Sequence, residues 1–274
     1  MEAEERRAHA ADGAELRYEI AGEGSPVVLL HGALSSRGTF RRIRPHLAPG
    51  HQVVLTVLRG HEGTEPILPA DYGLAATEVA DLLAVLDDAG LERVSLVGHS
   101  TGGAIAVAFA RARPDRVDRL AHIEPTLLSL LDEARYRQVE ADFAPARAAG
   151  RGGDDLVGLR NLLEVMGATT WPSLPEATRQ RAFDSMVPIA GLVGQHIRAL
   201  FELDLTEDEV RALVPPALLV YGRDSVYFEQ PIAQRLAVLR PDWPQLHVDG
   251  VGHNSHLERP DLVGPAIAEF LAER

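Results

Sequence analysis

The sequence contains no cysteine and no lysine. The first absence rules out disulfides, a thiolate nucleophile and cysteine metal sites. The second excludes a lysine base or a Schiff-base mechanism, since all 27 basic side chains are arginine. Aromatic residues make up only 5%, and no apolar run approaches the roughly 18 residues that a membrane span needs, so a soluble chain without membrane partners is expected. The start, Met1-Glu2-Ala3-Glu4-Glu5-Arg6-Arg7, has no apolar core of a secretory signal, which together with the missing cysteine points to a cytoplasmic location. Basic charge is also scarce: the net charge of -13 and the lack of a basic stripe argue against nucleic acid as a partner. No H-E-x-x-H or comparable ligand pair occurs, so neither a metal nor a cofactor is expected.

What is present is a 46% hydrophobic share over 274 residues, enough for one large α/β core with an inserted element. Short β-branched runs alternate with helical patterns, the signature of a mostly parallel sheet wrapped by helices. The strand candidates are Val27 to Leu30, Val53 to Leu58, Val94 to Val97, Leu120 to Ile123, Ala217 to Tyr221 and Gln245 to Val248. Ahead of them, Asp12-Gly13 predicts the turn of an antiparallel hairpin between His9-Ala10 and Leu16 to Ile20. Val79, Leu82, Leu83 and Leu86 repeat at helical spacing and Gly90 follows as a stop, so residues 75–89 read as an amphipathic helix lying on the sheet. At the C-terminus Val263, Ile267, Phe270 and Leu271 share one side, but Pro265 suggests that the regular helix starts only about there.

Between roughly Thr126 and Leu213 the strand rhythm stops. The text turns helical, with breaks at Gly150-Arg151-Gly152-Gly153 and Trp171-Pro172-Ser173-Leu174-Pro175. This reads as an insertion, 126–213, covering one end of a core formed by 1–125 and 214–274. Without strands of its own it needs the sheet as its floor.

Gly98-His99-Ser100-Thr101-Gly102 fits G-x-S-x-G directly after an apolar strand and before the helix-forming Ala104 to Ala110. In such a turn the serine takes strained backbone angles, the glycines permit close approach of strand and helix, and the hydroxyl is exposed at the helix N-terminus. A serine is a poor nucleophile alone. It requires a base within hydrogen-bond reach and a group that orients that base.

With these residues the chain resembles the α/β-hydrolase superfamily over nearly its whole length. Leu29-Leu30-His31-Gly32-Ala33 resembles the loop after the third strand, and Leu58-Arg59-Gly60-His61 the turn after the fourth, with Glu62 where a glycine is usual. The elbow is the third motif, and Val251-Gly252-His253 followed by Leu257-Glu258-Arg259-Pro260 the fourth. The resemblance implies an eight-stranded, mostly parallel sheet flanked by helices, with a helical cap inserted after strand six. It implies His253 as general base, with His256 a neighbour shaping the pocket at most; the majority of the 11 histidines are expected on the surface or in loops.

In most members the acid follows strand seven as G-x-x-D. Here Tyr221-Gly222-Arg223-Asp224-Ser225 puts serine at that place and Asp224 one position early. The alternative is Glu124, at the end of Leu120-Ala121-His122-Ile123. A carboxylate at the mouth of a buried strand persists only with a donor, and a histidine Nδ1–H is a natural one, which favours Glu124 over Asp224. An acid after strand six is similar to the arrangement in zearalenone lactonase-like hydrolases.

The resemblance then implies attack by Ser100 on an acyl carbonyl, with the oxyanion held by N–H groups of Thr101 and of Ala33 or Gly32. Leu34, Leu127, Leu128, Trp171, Met186, Val187, Ile197 and Phe201 are the candidate substrate-lining residues, suited to an apolar ester or lactone of moderate size. A carbon–carbon bond hydrolase, a perhydrolase, a cofactor-free oxygenase and a non-catalytic ligand receptor stay open as alternatives, and so does a homodimer.

Overall fold

Strands that must hide both faces carry few polar side chains, and the central runs of this chain satisfy that requirement. The computed structural model describes residues 3–62, 68–69, 71–167 and 175–273. Among the described residues there are eight strands: β1 (Glu4–His9), β2 (Glu15–Ala21), β3 (Ser25–Leu30), β4 (His51–Thr56), β5 (Val94–His99), β6 (Val117–Ile123), β7 (Ala217–Gly222) and β8 (Gln245–Val248). They form one sheet in the order β1-β2-β4-β3-β5-β6-β7-β8. Of these pairings, β1–β2 and β2–β4 are antiparallel and the rest parallel. The Asp12-Gly13 turn closes the first of them, with Gly13 at φ 87°.

Neighbouring residues of a strand serve opposite layers, as the period of two demands. Val28, Leu30, Val54, Leu96, Leu120 and Leu219 join one apolar cluster, with the helices Val79–Asp88, Thr101–Ala112 and Glu229–Leu239. Val27, Leu29, Val53, Leu55, Val97, Ala121 and Val220 join the other, with Leu47, Val263, Ile267 and Phe270. Each valine, leucine, isoleucine or phenylalanine among them, fully withdrawn from water, contributes roughly 1.5–3 kcal/mol.

Between β6 and β7 the chain forms the helices Glu133–Asp142, Ala144–Ala148, Asp155–Met166, Glu176–Met186, Val193–Glu202 and Glu207–Arg211. Three start on side-chain caps from Asp132, Asp154 and Thr206, the last a reciprocal capping box with Glu209. Their apolar residues, among them Val139, Leu159, Val193 and Leu200, belong to the same cluster as one face of the sheet.

Two helix expectations are corrected. The helix Pro260–Ala272 runs straight through Pro265. Pro265 and Asp261, four residues before it, both lie on the exposed face, so the carbonyl left without an N–H partner turns to water. The helix read over 75–89 opens with a wide π-helical turn, Leu74–Glu78, before the regular Val79–Asp88. Among the described residues no helix is long and apolar enough to cross a membrane.

Candidate active site

After β3 the chain returns to one side of that strand as β4, then crosses to the other side as β5. The loops leaving β3 and β5 therefore diverge, and a crevice opens at their carboxyl ends. Ser100 sits at that point. It has φ 53° and ψ -121°, a strained pair for any residue with a side chain, and begins the helix Thr101–Ala112. The turn is tight enough to admit only glycine on both sides. A Cβ on Gly98 would meet Gly102 O at 2.4 Å, and one on Gly102 would meet Leu30 O at 2.0 Å. Gly102→Ala is expected to cost on the order of 3 kcal/mol and to lower Tm by roughly 5 °C in a calorimetric scan.

The loop after β3 is pinned by two buried histidines. His31 Nδ1 lies 2.9 Å from Gly32 O, and His31 Nε2 accepts the Leu58 N–H at 3.1 Å. His61 Nδ1 lies 3.0 Å from Arg59 O, and its Nε2 accepts the Leu34 N–H at 3.2 Å. Each ring thus holds one proton, on Nδ1. Burial depresses both pKa values, that of His31 to about 3 with the charge of His61 adding to the effect. The loop also carries strain at Leu34, φ 53°. Arg59 anchors the neighbouring turn through Asp81 and, at 2.6 Å, Asp12.

His253 follows β8 and lies nearly buried. Its Nδ1 is 2.6 Å from Glu124 Oε2, while its Nε2 has no hydrogen-bond partner among the described residues. Glu124 ends β6 in a left-handed conformation, φ 47°, and is fully buried. Its carboxylate also accepts the Gly222 N–H at 2.6 Å and the Ser225 hydroxyl. Ser225, at the position where the family's usual acid stands, is thus a donor to a carboxylate arriving from the adjacent strand. Asp224 is exposed, and Arg223 pairs with Asp249 at 2.6 Å. Burial pulls the His253 pKa down, but the hydrogen bond and charge of Glu124 outweigh it and leave the imidazole raised above its ordinary value.

Ser100 Oγ is 3.3 Å from Thr126 Oγ1, and Thr126 Oγ1 is 2.9 Å from Glu229 Oε1. Ser100 and His253 line one cavity of about 320 Å³. Gly32, Ala33 and Thr101 are in its wall, and so are Leu34, Leu128, Met186, Ile197 and Phe201. Two expected lining residues are not. Leu127 is packed into the core at 1% exposure, and Val187 points outward at 39%. Trp171 lies outside the described residues. Phe143, Leu162, Met166 and Leu200 complete the wall instead.

Eight histidines are buried, His31, His51, His61, His99, His122, His196, His253 and His256; of these only His31, His61 and His253 lie in loops as expected. His99 Nε2 lies 3.0 Å from the His253 carbonyl, and its ring packs against those of His253 and His256. His256 Nε2 is 2.8 Å from Thr39 Oγ1, and Thr39 reaches the cavity wall. Among the described residues no group of three His, Asp or Glu side chains is placed to hold a metal ion.

The profile of the alpha/beta hydrolase family matches residues 27–266. The chain belongs to that family. The 2-hydroxy-6-oxo-2,4-heptadienoate hydrolase of Pseudomonas putida is 30% identical to this hydrolase over 280 residues, spanning 96% of this chain and 94% of the relative. Among solved structures, carboxylesterase CesB from Bacillus subtilis superimposes with a TM-score of 0.74 at 22% identity, covering 99% of this hydrolase and 92% of the esterase. A meta-cleavage product hydrolase from Pseudomonas fluorescens gives a TM-score of 0.77 at 20% identity, with 97% of each chain covered.

Proposed function

We propose that this hydrolase cleaves a carboxylic ester or lactone bond in a moderately large apolar substrate through an acyl-enzyme on Ser100. The observation that carries the reading is the cavity itself: a mostly apolar wall in which Ser100, with Ser35, Thr39, Thr126 and Asn254, shares the space with a histidine held at Nδ1 whose Nε2 is unpartnered among the described residues. In this reading Ser100 is the nucleophile, His253 the base and Glu124 the orienting acid. Ser100 Oγ keeps its contact with Thr126, and its hydroxyl proton turns to His253 Nε2 when substrate arrives and the catalytic contacts tighten. N–H groups of Thr101 and of Ala33 or Gly32 receive the developing oxyanion, and each donor is worth roughly 3 kcal/mol of barrier. Water then hydrolyses the acyl-enzyme with His253 acting on it. The helices between β6 and β7 serve as a cap that selects the acyl or alcohol part by fit. An acid placed after the sixth strand keeps a lactone among the candidate substrates.

Carbon–carbon bond hydrolysis is the second reading, favoured by the 30% identity to the Pseudomonas putida enzyme. That relative's name specifies a dienoate, an anion. The cavity wall contains no arginine among its described residues, and His253 must be neutral to act as base, so a carboxylate entering it would lose hydration without gaining a permanent counter-ion. This favours the neutral ester. The test compares p-nitrophenyl esters from acetate to decanoate with a 2-hydroxy-6-oxo dienoate, under labelling of Ser100 by a fluorophosphonate. Medium-chain esters are expected to be turned over with kcat/KM at least about tenfold above acetate, since each buried methylene contributes about 0.8 kcal/mol. Turnover of the dienoate with the esters inert would overturn the ester reading. Failure of the fluorophosphonate to label would overturn serine catalysis altogether.

A further inference from the structure

Glu229 belongs to no part of the proposed triad, yet it ends within two hydrogen bonds of the nucleophile. It opens the helix Glu229–Leu239 and has 0% exposure; among the described residues its Oε1 meets Thr126 at 2.9 Å and its Oε2 has no partner. Thr126 Oγ1 in turn is 3.3 Å from Ser100 Oγ and lies in the cavity wall. A hydroxyl has one proton to give, so the direction of this chain is fixed by its far end. If Glu229 is ionised, Thr126 must donate to it and can only accept from Ser100. Thr126 then competes with His253 for the serine proton. If Glu229 is the neutral acid, it donates to Thr126, Thr126 donates to Ser100 Oγ, and the serine proton is released toward His253 Nε2.

We propose that Glu229 is a positioning residue that acts as a neutral carboxylic acid, setting the hydrogen-bond chain Glu229 to Thr126 to Ser100 so that the nucleophile offers its proton to His253. The inference rests on the serine-hydrolase reading. It stands on the geometry, in which a full negative charge on Glu229 would have one hydroxyl as its sole donor among the described residues, at a position with no exposure to water. The groups facing it are His253, Glu124 and Tyr221. Burial raises its pKa most, the charge of Glu124 adds to the rise, and His253 and the Thr126 hydrogen bond oppose it, leaving the carboxyl at about 8. Its ionisation therefore falls at the alkaline edge of the working range. Above that pH the chain reverses and activity declines.

The experiment is the pH dependence of kcat/KM on the best p-nitrophenyl ester, measured on the full chain, with fluorophosphonate labelling rates alongside. Glu229→Gln places an N–H donor toward Thr126 and cannot ionise. It is expected to stay within several-fold of the wild type at pH 7 and to lose the decline above pH 8. Glu229→Leu and Thr126→Val, which break the chain, are expected to lower both rates about 10- to 100-fold, while Thr126→Ser restores most of the loss. The Thr126 pair keeps the inference falsifiable if the Glu229 variants do not fold. Equal impairment of Glu229→Gln and Glu229→Leu, an unchanged alkaline decline in Glu229→Gln, or a Thr126→Val enzyme as fast as the wild type would overturn it. Absence of labelling in the wild type itself would instead remove the reading on which it rests.

Discussion

Ser100→Ala is expected to reduce kcat/KM for p-nitrophenyl esters by about 10⁶-fold, some 8 kcal/mol of transition-state stabilisation. On the proposed mechanism the substitution removes the atom that would form the acyl bond and leaves the imidazole, the proposed oxyanion donors and the cavity wall in place. Residual catalysis by those groups sets the floor, and ligand affinity is expected to stay near the wild-type value. The variant should fold normally. Alanine tolerates φ 53° no better than serine, so the strain at the elbow persists, and the side chain gives up little beyond its hydrogen bond to Thr126. Ser100→Gly, in contrast, relieves the strain and is expected to gain about 1 kcal/mol of stability while being equally inactive. Steady-state kinetics with calorimetry separates the two effects. A Ser100→Ala enzyme within tenfold of the wild type would mean that His253 activates water directly and that no acyl-enzyme forms.

The fold was largely legible because its strands had to be. A strand covered on both faces admits few polar residues, so Val27 to Leu30 or Ala217 to Tyr221 stand out as apolar runs whatever surrounds them. Helix ends were less legible. Pro265 interrupts a pattern on paper, but it lies opposite the side shared by Val263, Ile267, Phe270 and Leu271, where the carbonyl it leaves unpaired meets water, so a proline there need not end the helix. The cavity wall was less legible still. In the stretch after β6, Leu127 and Leu128 are adjacent and equally apolar, yet one enters the core and the other the cavity. That division depends on how the helices rest against the sheet.

The site divides along the same line. The elbow announces itself by its G-x-S-x-G pattern and the Gly252-His253 loop by its resemblance to the family's motif, and the desolvation argument for a carboxylate at the end of a buried strand fits the placement of Glu124 against His253. Glu229 was not legible. An acid in the first turn of a helix is what the helix dipole ordinarily favours at a solvated surface, and only the packing of β7 and the Thr126 loop around it makes this one buried. The buried histidines were hidden for a similar reason. His31 and His61 act as hydrogen-bonding pins between loops that are 27 residues apart in sequence, a pairing that no local pattern encodes.

Glu124→Gln against Asp224→Asn is the second decisive comparison. Glu124→Gln is expected to lower kcat about 10⁴-fold, and Asp224→Asn to leave it within two- to threefold. The carboxylate of Glu124 accepts from three donors: the Gly222 N–H, the Ser225 hydroxyl and His253 Nδ1. An amide has only one oxygen, so its NH₂ must turn toward at least one of those donors. The imidazole then either changes tautomer or swings away, and in both cases Nε2 loses the base role that the proposed mechanism gives it. A cost of about 1–3 kcal/mol in stability accompanies the mispaired group, and a melting curve checks that the variant remains folded during assay. The pH profile supplies an independent readout. With Glu124 in place the imidazole titrates above its ordinary 6.5, and because the base must be neutral, activity rises as pH increases through that raised value. Removing the carboxylate leaves burial to pull the pKa down, so the residual activity of Glu124→Gln should reach its plateau at lower pH than the wild type. Asp224→Asn, altering an exposed group, should leave that limb where it was. A Glu124→Gln enzyme that keeps both its rate and its acid limb would show that the hydrogen bond at 2.6 Å orients nothing that catalysis requires.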